Sequence, residues 1–219
     1  MGRREIFAPG EYYHLYNRGT EKRDIFLRPE DYERFLALLY LCNGQLSVDL
    51  KLQGRTLYEV AAIDRGETLV DICAYVLMPN HFHLYVREKR DKGISSFMRK
   101  LGTGYTMYFN VLYERTGALF QGKFKARHVD NEVYARYLFS YIHLNPVKLI
   151  EPNWKGTGIS DRGRAEQYIR QYRYSSFLDY LTEGHRPQRI LLAPESLPME
   201  SLPKDFEIAV NDWLQGPTL

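Results

Sequence analysis

The chain has 219 residues, 44% of them apolar and 26% charged, with a formal net charge of +3, which fits one globular domain with a full core, or a domain plus an appendage. No apolar run approaches the roughly 18 residues of a membrane helix, and the opening "MGRREIFAPG" lacks the apolar core of a signal peptide. Cys42 and Cys73 are too few for a disulfide framework or a cysteine-rich zinc site, so both read as small buried hydrophobes in a cytoplasmic protein.

In chain order, "EYYHLYNRG" (Glu11–Gly19) alternates, is rich in aromatics and ends in a turn signal, so it predicts a first strand. "PEDYERFLALLYLCNG" predicts a helix, with Pro29 and acidic residues in the first turn and Gly44 past the end. Residues 45–68 read as an excursion or short helix. "TLVDICAYVLM" and "HFHLYVRE" predict two strands joined by a Pro79-Asn80 turn. "GISSFMRKLGTGYTMYFNVLYERTG" is amphipathic, with Ile94, Phe97, Met98, Leu101, Tyr105, Tyr108 and Leu112 at helical spacing and Gly117 at the close. "LFQGKFKARHV" predicts a strand or edge strand. Asp130 is the expected N-cap of a last helix, "NEVYARYLFSYIHLN", which Pro146 stops. The remainder is irregular, with short helices expected near "RAEQYIRQY" and "SFLDYL".

The order β-α-β-β-α-β and a further helix predicts an α+β fold: a ferredoxin-like split βαβ with a central antiparallel sheet, a C-terminal tyrosine-bearing helix and an irregular tail. The expected division is a domain over 1–150 and an extension over 151–219, packed on the domain or on DNA.

Charge is unevenly spread. Ten Lys/Arg lie between Arg87 and Arg127 against Glu88, Asp91 and Glu114, whereas from Glu183 onward three basic residues face six acidic ones. A basic middle interleaved with aromatics suggests nucleic acid as the partner, though a charge run is more often a solvated face.

His81 and His83 share one face of their strand while Phe82 takes the other. The pair either converges on a cation or consists of satisfied polar residues on a half-exposed strand. On the last helix Tyr134, Tyr137 and Tyr141 recur at three- and four-residue intervals, and Asn145 follows Tyr141 by one turn. An amide oxygen suits a hard divalent ion and a phenol can serve as a covalent nucleophile. A tyrosine stripe can also be core, and spacing alone does not choose Tyr141 over Tyr137.

"YVLMPNHFHLYV" together with "FSYIHLNPVK" resembles the HUH single-tyrosine transposases of bacterial insertion sequences, in particular the REP-associated tyrosine transposases. "YHLYNRG" and "LFQGKFKARHV" are similar to that branch too, and the likeness spans roughly residues 10–150. The resemblance implies that His81, His83 and Asn145 hold a metal, Mg²⁺ or Mn²⁺, and that Tyr141 is the nucleophile. It also implies cleavage and transfer of single-stranded DNA at hairpin-flanked sites through a 5′-phosphotyrosine, as in DNA transposition. Gln121 falls in a segment that the family keeps near DNA.

Arg87, Lys89, Arg90, Arg99, Lys100, Lys123, Lys125 and Arg127 are the candidates for phosphate contacts. The REP-associated branch implies a monomer acting in cis, with a homodimer as the alternative. Rival readings are a rolling-circle or relaxase-type initiator nuclease, and a non-catalytic hairpin DNA-binding protein.

Overall fold

In the computed structural model, residues 6–46, 49, 56–181, 186–198 and 208 are described. Residues 47–48 and 50–55 of the expected excursion, and most of the acid-rich stretch after Glu183, lie outside them.

Four strands form one antiparallel sheet in the order β2-β3-β1-β4: β1 (Tyr12–Arg18), β2 (Val70–Met78), β3 (His81–Glu88) and β4 (Lys125–Val129). Because β3 runs antiparallel to both neighbours, β1 and β2 point the same way with β3 inserted between them. The Pro79-Asn80 turn sets the register of the central hairpin, pairing Met78 with His81.

The period of two then divides the sheet. Leu15, Phe82, Leu84 and Val86 face one side and build the larger core with helices α1 (Pro29–Cys42) and α3 (Gly93–Leu112). The other side meets α4 (Glu132–Leu144), whose Tyr134, Tyr137, Leu138, Tyr141 and Ile142 pack with Val76, Met78 and Tyr85.

β2 is buried along its whole length. An edge strand alternates in exposure unless both faces and its outer rim are covered, which is what its unbroken apolar run requires. The rim is covered by the tail. Leu77 N–H donates to the Tyr174 carbonyl (2.9 Å), Ser176 N–H to Tyr75 (3.0 Å) and Ala193 N–H to Ile72 (3.0 Å). A bulge at Cys73, between Ile72 and Ala74, shifts the pairing of β2 with β3 by one residue.

Beyond α4, Pro146 converts the helix into a short 3-10 segment (Asn145–Leu149). Short helices α5 (Trp154–Thr157), α6 (Arg162–Gln171) and α7 (Phe177–Leu181) follow, and α2 (Leu57–Val60) lies in the excursion. A small cluster of Leu144, Val147, Trp154, Ala165, Ile169 and Phe177 ties this tail to α4. Cys42 and Cys73 are buried and free, as expected. Among the described residues no helix is long and apolar enough to cross a membrane.

Two local expectations are corrected. The N-cap of α4 is Asn131, not Asp130: its extended backbone lets its side chain accept from Tyr134 N–H (2.8 Å), while Asp130 accepts from the Asn131 amide (2.8 Å). The segment from Leu119 is strand only from Lys125, because Gly122 takes a left-handed turn (φ +73°) and Gln121 N–H bonds back to the Arg18 carbonyl (2.8 Å).

At the far end of β3 the buried Glu88 carboxylate accepts from Gly93 N–H (3.0 Å) and Ile94 N–H (2.8 Å), closing the first turn of α3. Glu88→Ala strands the buried Ile94 donor, while Gly93 N–H keeps its bond to the Arg90 carbonyl (2.9 Å), and is expected to lower unfolding free energy by about 1–3 kcal/mol. The seven strand steps separating it from His81, roughly 23 Å, should leave the histidine end of β3 intact. Denaturant titration checks the loss; unchanged stability contradicts the capping role.

Candidate active site

The histidine pair sits where β3 leaves its turn. The imidazoles of His81 and His83 lie edge to face with centroids 5.1 Å apart. His81 Nδ1 contacts Asn80 Oδ1 at 2.6 Å. An amide oxygen only accepts, so Nδ1 carries the proton and Nε2 keeps the lone pair. His83 is buried, and its Nδ1 lies 2.8 Å from His14 Nε2 on β1. Both Nδ1 atoms are therefore occupied, which leaves each Nε2 for another partner.

All three histidines are held neutral. Burial is the leading cause in each case, and nearby cations add to it. His14 is pulled down to about 3 and His81 to about 4, while His83 falls well below its ordinary value through burial and then its two histidine neighbours.

α4 brings the other groups. Tyr141 meets His83 edge to face at 5.3 Å, and Tyr137 and Tyr134 stack behind it at 6.1 and 6.4 Å. Thus the structure brings Tyr141 to the histidines, while Arg127 lies over Tyr134, 4.3 Å from its centroid. Burial raises the Tyr141 phenol, opposed by Asn145 and Lys148. Asn145 is 1% exposed. Its amide is close enough to act on both His81 and Tyr141, yet neither its oxygen nor its nitrogen has an aligned hydrogen bond. A buried amide without aligned partners is costly in isolation.

In front of the pair opens a cleft of about 400 Å³ lined by Tyr16, Asn17, Arg18, Lys22, Asn80, His81, His83, Gln121, Lys125 and Lys148. Four cations and no carboxylate line it, so it suits a polyanion. Among the described residues no three His, Cys, Asp or Glu side chains converge as a ligand set. The buried Asn145 amide, close enough to act on His81, is a candidate third donor beside the pair.

The remaining sequence candidates divide. Gln121, which accepts from Arg18 Nε (2.5 Å), and Lys125 line the cleft. Arg127 is paired with His14 across β1 and shares its side of the sheet. Arg99 and Lys123 border a separate groove between α3 and the Ala118–Phe124 loop. Arg87 and Lys89 both pair with Asp71 (3.6 and 3.5 Å), and Lys100 donates to the Gly44 carbonyl (2.7 Å). Arg90, exposed beyond the end of β3, stands at that far end too. Arg87 is six strand steps from His81, roughly 20 Å, so this group is not part of the cleft.

Sequence reasoning missed His14, Arg18, Lys22, Lys148 and Lys155. For His14 and Arg18 a signal existed: they alternate on the first strand on one face. For Lys155 none did, because its approach depends on the fold of the tail. Its Nζ lies 2.8 Å from the Tyr141 hydroxyl oxygen and 4.1 Å from the ring centroid.

Residues 54–145 match the family described as "Transposase IS200 like", a span that contains His81, His83, Tyr141 and Asn145. The resemblance is to the IS200-like transposases. A solved REP-associated tyrosine transposase bound to a REP hairpin aligns with 91% of this chain and 94% of its own, at 17% identity and a TM-score of 0.53. That likeness shows a shared fold. A tRNA(His) guanylyltransferase from Saccharomyces cerevisiae aligns with 92% of this chain and 85% of its own at 13% identity, but a TM-score of 0.31 carries no argument. No curated protein matches.

The neutral histidines give a pH signature. His14, and His143 buried against Ser176, stay neutral in the fold down to about 3, while the unfolded chain takes up protons below 6.5. The unfolded state therefore binds more protons in that window, and stability falls as pH falls. Denaturant titrations from about pH 7 to about pH 4.5 should show a decline of at most about 1.4 kcal/mol per pH unit per histidine. The slope should be shallower in His14→Gln; an equal slope in that variant removes His14 from the account.

Proposed function

We propose that this protein is a metal-dependent single-stranded DNA nuclease and strand transferase, acting at hairpin-flanked sites through a covalent 5′-phosphotyrosine on Tyr141. The observation that carries the reading is the meeting of Tyr141, two neutral imidazoles and the Asn145 amide, which lacks an aligned partner, beside a cleft whose lining holds four cations and no carboxylate. The match to IS200-like transposases over the same residues supports the reaction class, and the hairpin bound by the similar solved structure supports the substrate class. We also read the strand order as the ferredoxin-like arrangement, with residues 1–150 as the nuclease domain and the tail as its extension.

The donor set fits a divalent ion. Two imidazoles with their Nδ1 atoms occupied offer Nε2, and the Asn145 amide can supply an oxygen. Mg²⁺ or Mn²⁺ held there would polarise the scissile phosphate and offset its developing charge; two nitrogens favour Mn²⁺. The chain's own residues do the rest. Arg18, Lys22, Lys125 and Lys148 attract the backbone, Tyr16 offers a face on which a base can stack, and α4 holds the Tyr141 ring against His83, which lines the cleft. Tyr141 attacks phosphorus, the 3′ oxygen departs, and attack by a new 3′-hydroxyl reverses the step.

Incubating the chain with hairpin-bearing single-stranded DNA and Mn²⁺ or Mg²⁺ should give an SDS-resistant adduct whose peptide maps to Tyr141. Tyr141→Phe should abolish adduct and cleavage together, whereas Tyr137→Phe and Tyr134→Phe retain them. His81→Ala should lose cleavage by at least about 100-fold with hairpin binding largely kept. DNA attached to Tyr137, or binding lost in step with cleavage, would overturn these assignments. The cis reading predicts no cleavage when His81→Ala and Tyr141→Phe chains are mixed.

A further inference from the structure

The segment that brings Lys155 to the site lies beyond the family match, which ends at Asn145. Trp154, 1% exposed and packed with Val147, Ile169 and Phe177, anchors α5, so the neighbouring Lys155 is held over α4 rather than left to sample solvent. Its Nζ stands 2.8 Å from the Tyr141 hydroxyl oxygen. Among the described residues it forms no ion pair with a carboxylate. The groups it acts on are Tyr141 from α4, His14 from β1, and His81 and His83 from β3, and Lys148 of the 3-10 segment acts on the same tyrosine and β3 histidines. These are neutral or cationic.

We propose that Lys155 is the general base for Tyr141, its neutral amine taking the phenol proton as the oxygen attacks phosphorus. The proposal rests on Tyr141 being the nucleophile. Burial alone brings the Lys155 ammonium down to about 8, whereas burial raises the phenol. A neutral amine is therefore present in quantity near neutral pH, and the same 2.8 Å contact serves as N–H···O when the amine is charged and O–H···N when it is not.

The step balances. The proton moves from the Tyr141 oxygen to the Nζ lone pair, the O–P bond forms, and the bond from phosphorus to the 3′ oxygen breaks. That oxygen leaves with the electron pair and takes a proton from water. In the reverse direction the Lys155 ammonium returns its proton to the departing phenolate, while the incoming 3′-hydroxyl gives its proton to water.

The test is the pH profile of adduct formation on hairpin-bearing single-stranded DNA with Mn²⁺, alongside a titration of ¹³Cζ-tyrosine protein without DNA. The Tyr141 resonance is identified by its absence from Tyr141→Phe. Wild type should show adduct rates rising through a one-proton limb at about pH 8, and a step in the Tyr141 resonance at the same pH. Lys155→Met, of similar length, should form adduct roughly 10²–10⁴-fold more slowly, with the limb moved upward and the resonance step gone. Lys155→Arg keeps the charge but does not deprotonate, so it should also lose the limb.

An arginine variant with wild-type rate and profile makes the contribution one of charge and overturns the base role, as does a slowed methionine variant whose limb has not moved. A methionine variant whose thermal melt shows misfolding leaves the arginine profile and the wild-type resonance to decide; no step at Lys155's titration overturns the coupling. No adduct from wild type under any of these conditions sinks the nuclease reading and the base role together. An adduct with an unmoved limb sinks the base role alone.

Discussion

The alternation of β3 is the constraint on which the rest depends. Phe82 enters the core beneath α1 and α3, and its two neighbours in the chain are thereby forced onto the opposite side of the sheet. A one-residue slip would bury both imidazoles in that core and expose Phe82. The Pro79-Asn80 turn and the pairing of β3 on both sides prevent the slip. Because β3 is central, its histidine side also receives what neighbouring strands offer: His14, Tyr16 and Arg18 from β1, and through β1, Lys125 and Arg127 from β4.

The electrostatics of the cleft follow from that crowding. Cations line the cleft, and nearby cations, added to burial, keep the imidazoles from protonating. A charged imidazole could not donate a lone pair, so surroundings that repel a proton are compatible with those that would accept a metal ion. The phenol of Tyr141 beside them is also held protonated by burial.

Much of this was legible in the sequence because it is periodic and local. Strand alternation, the proline and glycine punctuation and the helical spacing of the tyrosines fixed the strands, the three long helices and the shared face of His81 and His83. Spacing and the motif put Tyr141 and Asn145 forward, and the fold sets Tyr141 against His83 with Tyr137 stacked behind it. Basic residues were the weakest guide. Lys125 reaches the cleft and Lys89 instead pairs with Asp71, because a charge in the sequence does not say which carboxylate or carbonyl the fold will bring to it. Asp130 failed as a cap by a single residue, the difference between the end of a strand and the extended residue before a helix. Lys148 and Lys155 carry no periodic signal and are recruited only after the chain turns back over α4.

The way the tail rims β2 bears on how the molecule is made. Ser176 bonds to Tyr75 across 101 residues, Tyr172 to Leu77 across 95, and Ser196 to Asp71 across 125. Such contacts are remote in sequence, and closing them is slow relative to forming the central hairpin. Synthesis runs from the N-terminus, so a nascent chain that has just emerged through α4 already holds both histidines and the tyrosine. Its β2 rim is still bare, and Lys155 has yet to arrive. The most apolar strand of the sheet therefore spends part of its biogenesis as an open edge, the state in which strands pair with the wrong neighbour. Completion of the last third of the chain both seals that edge and brings Lys155 to the tyrosine.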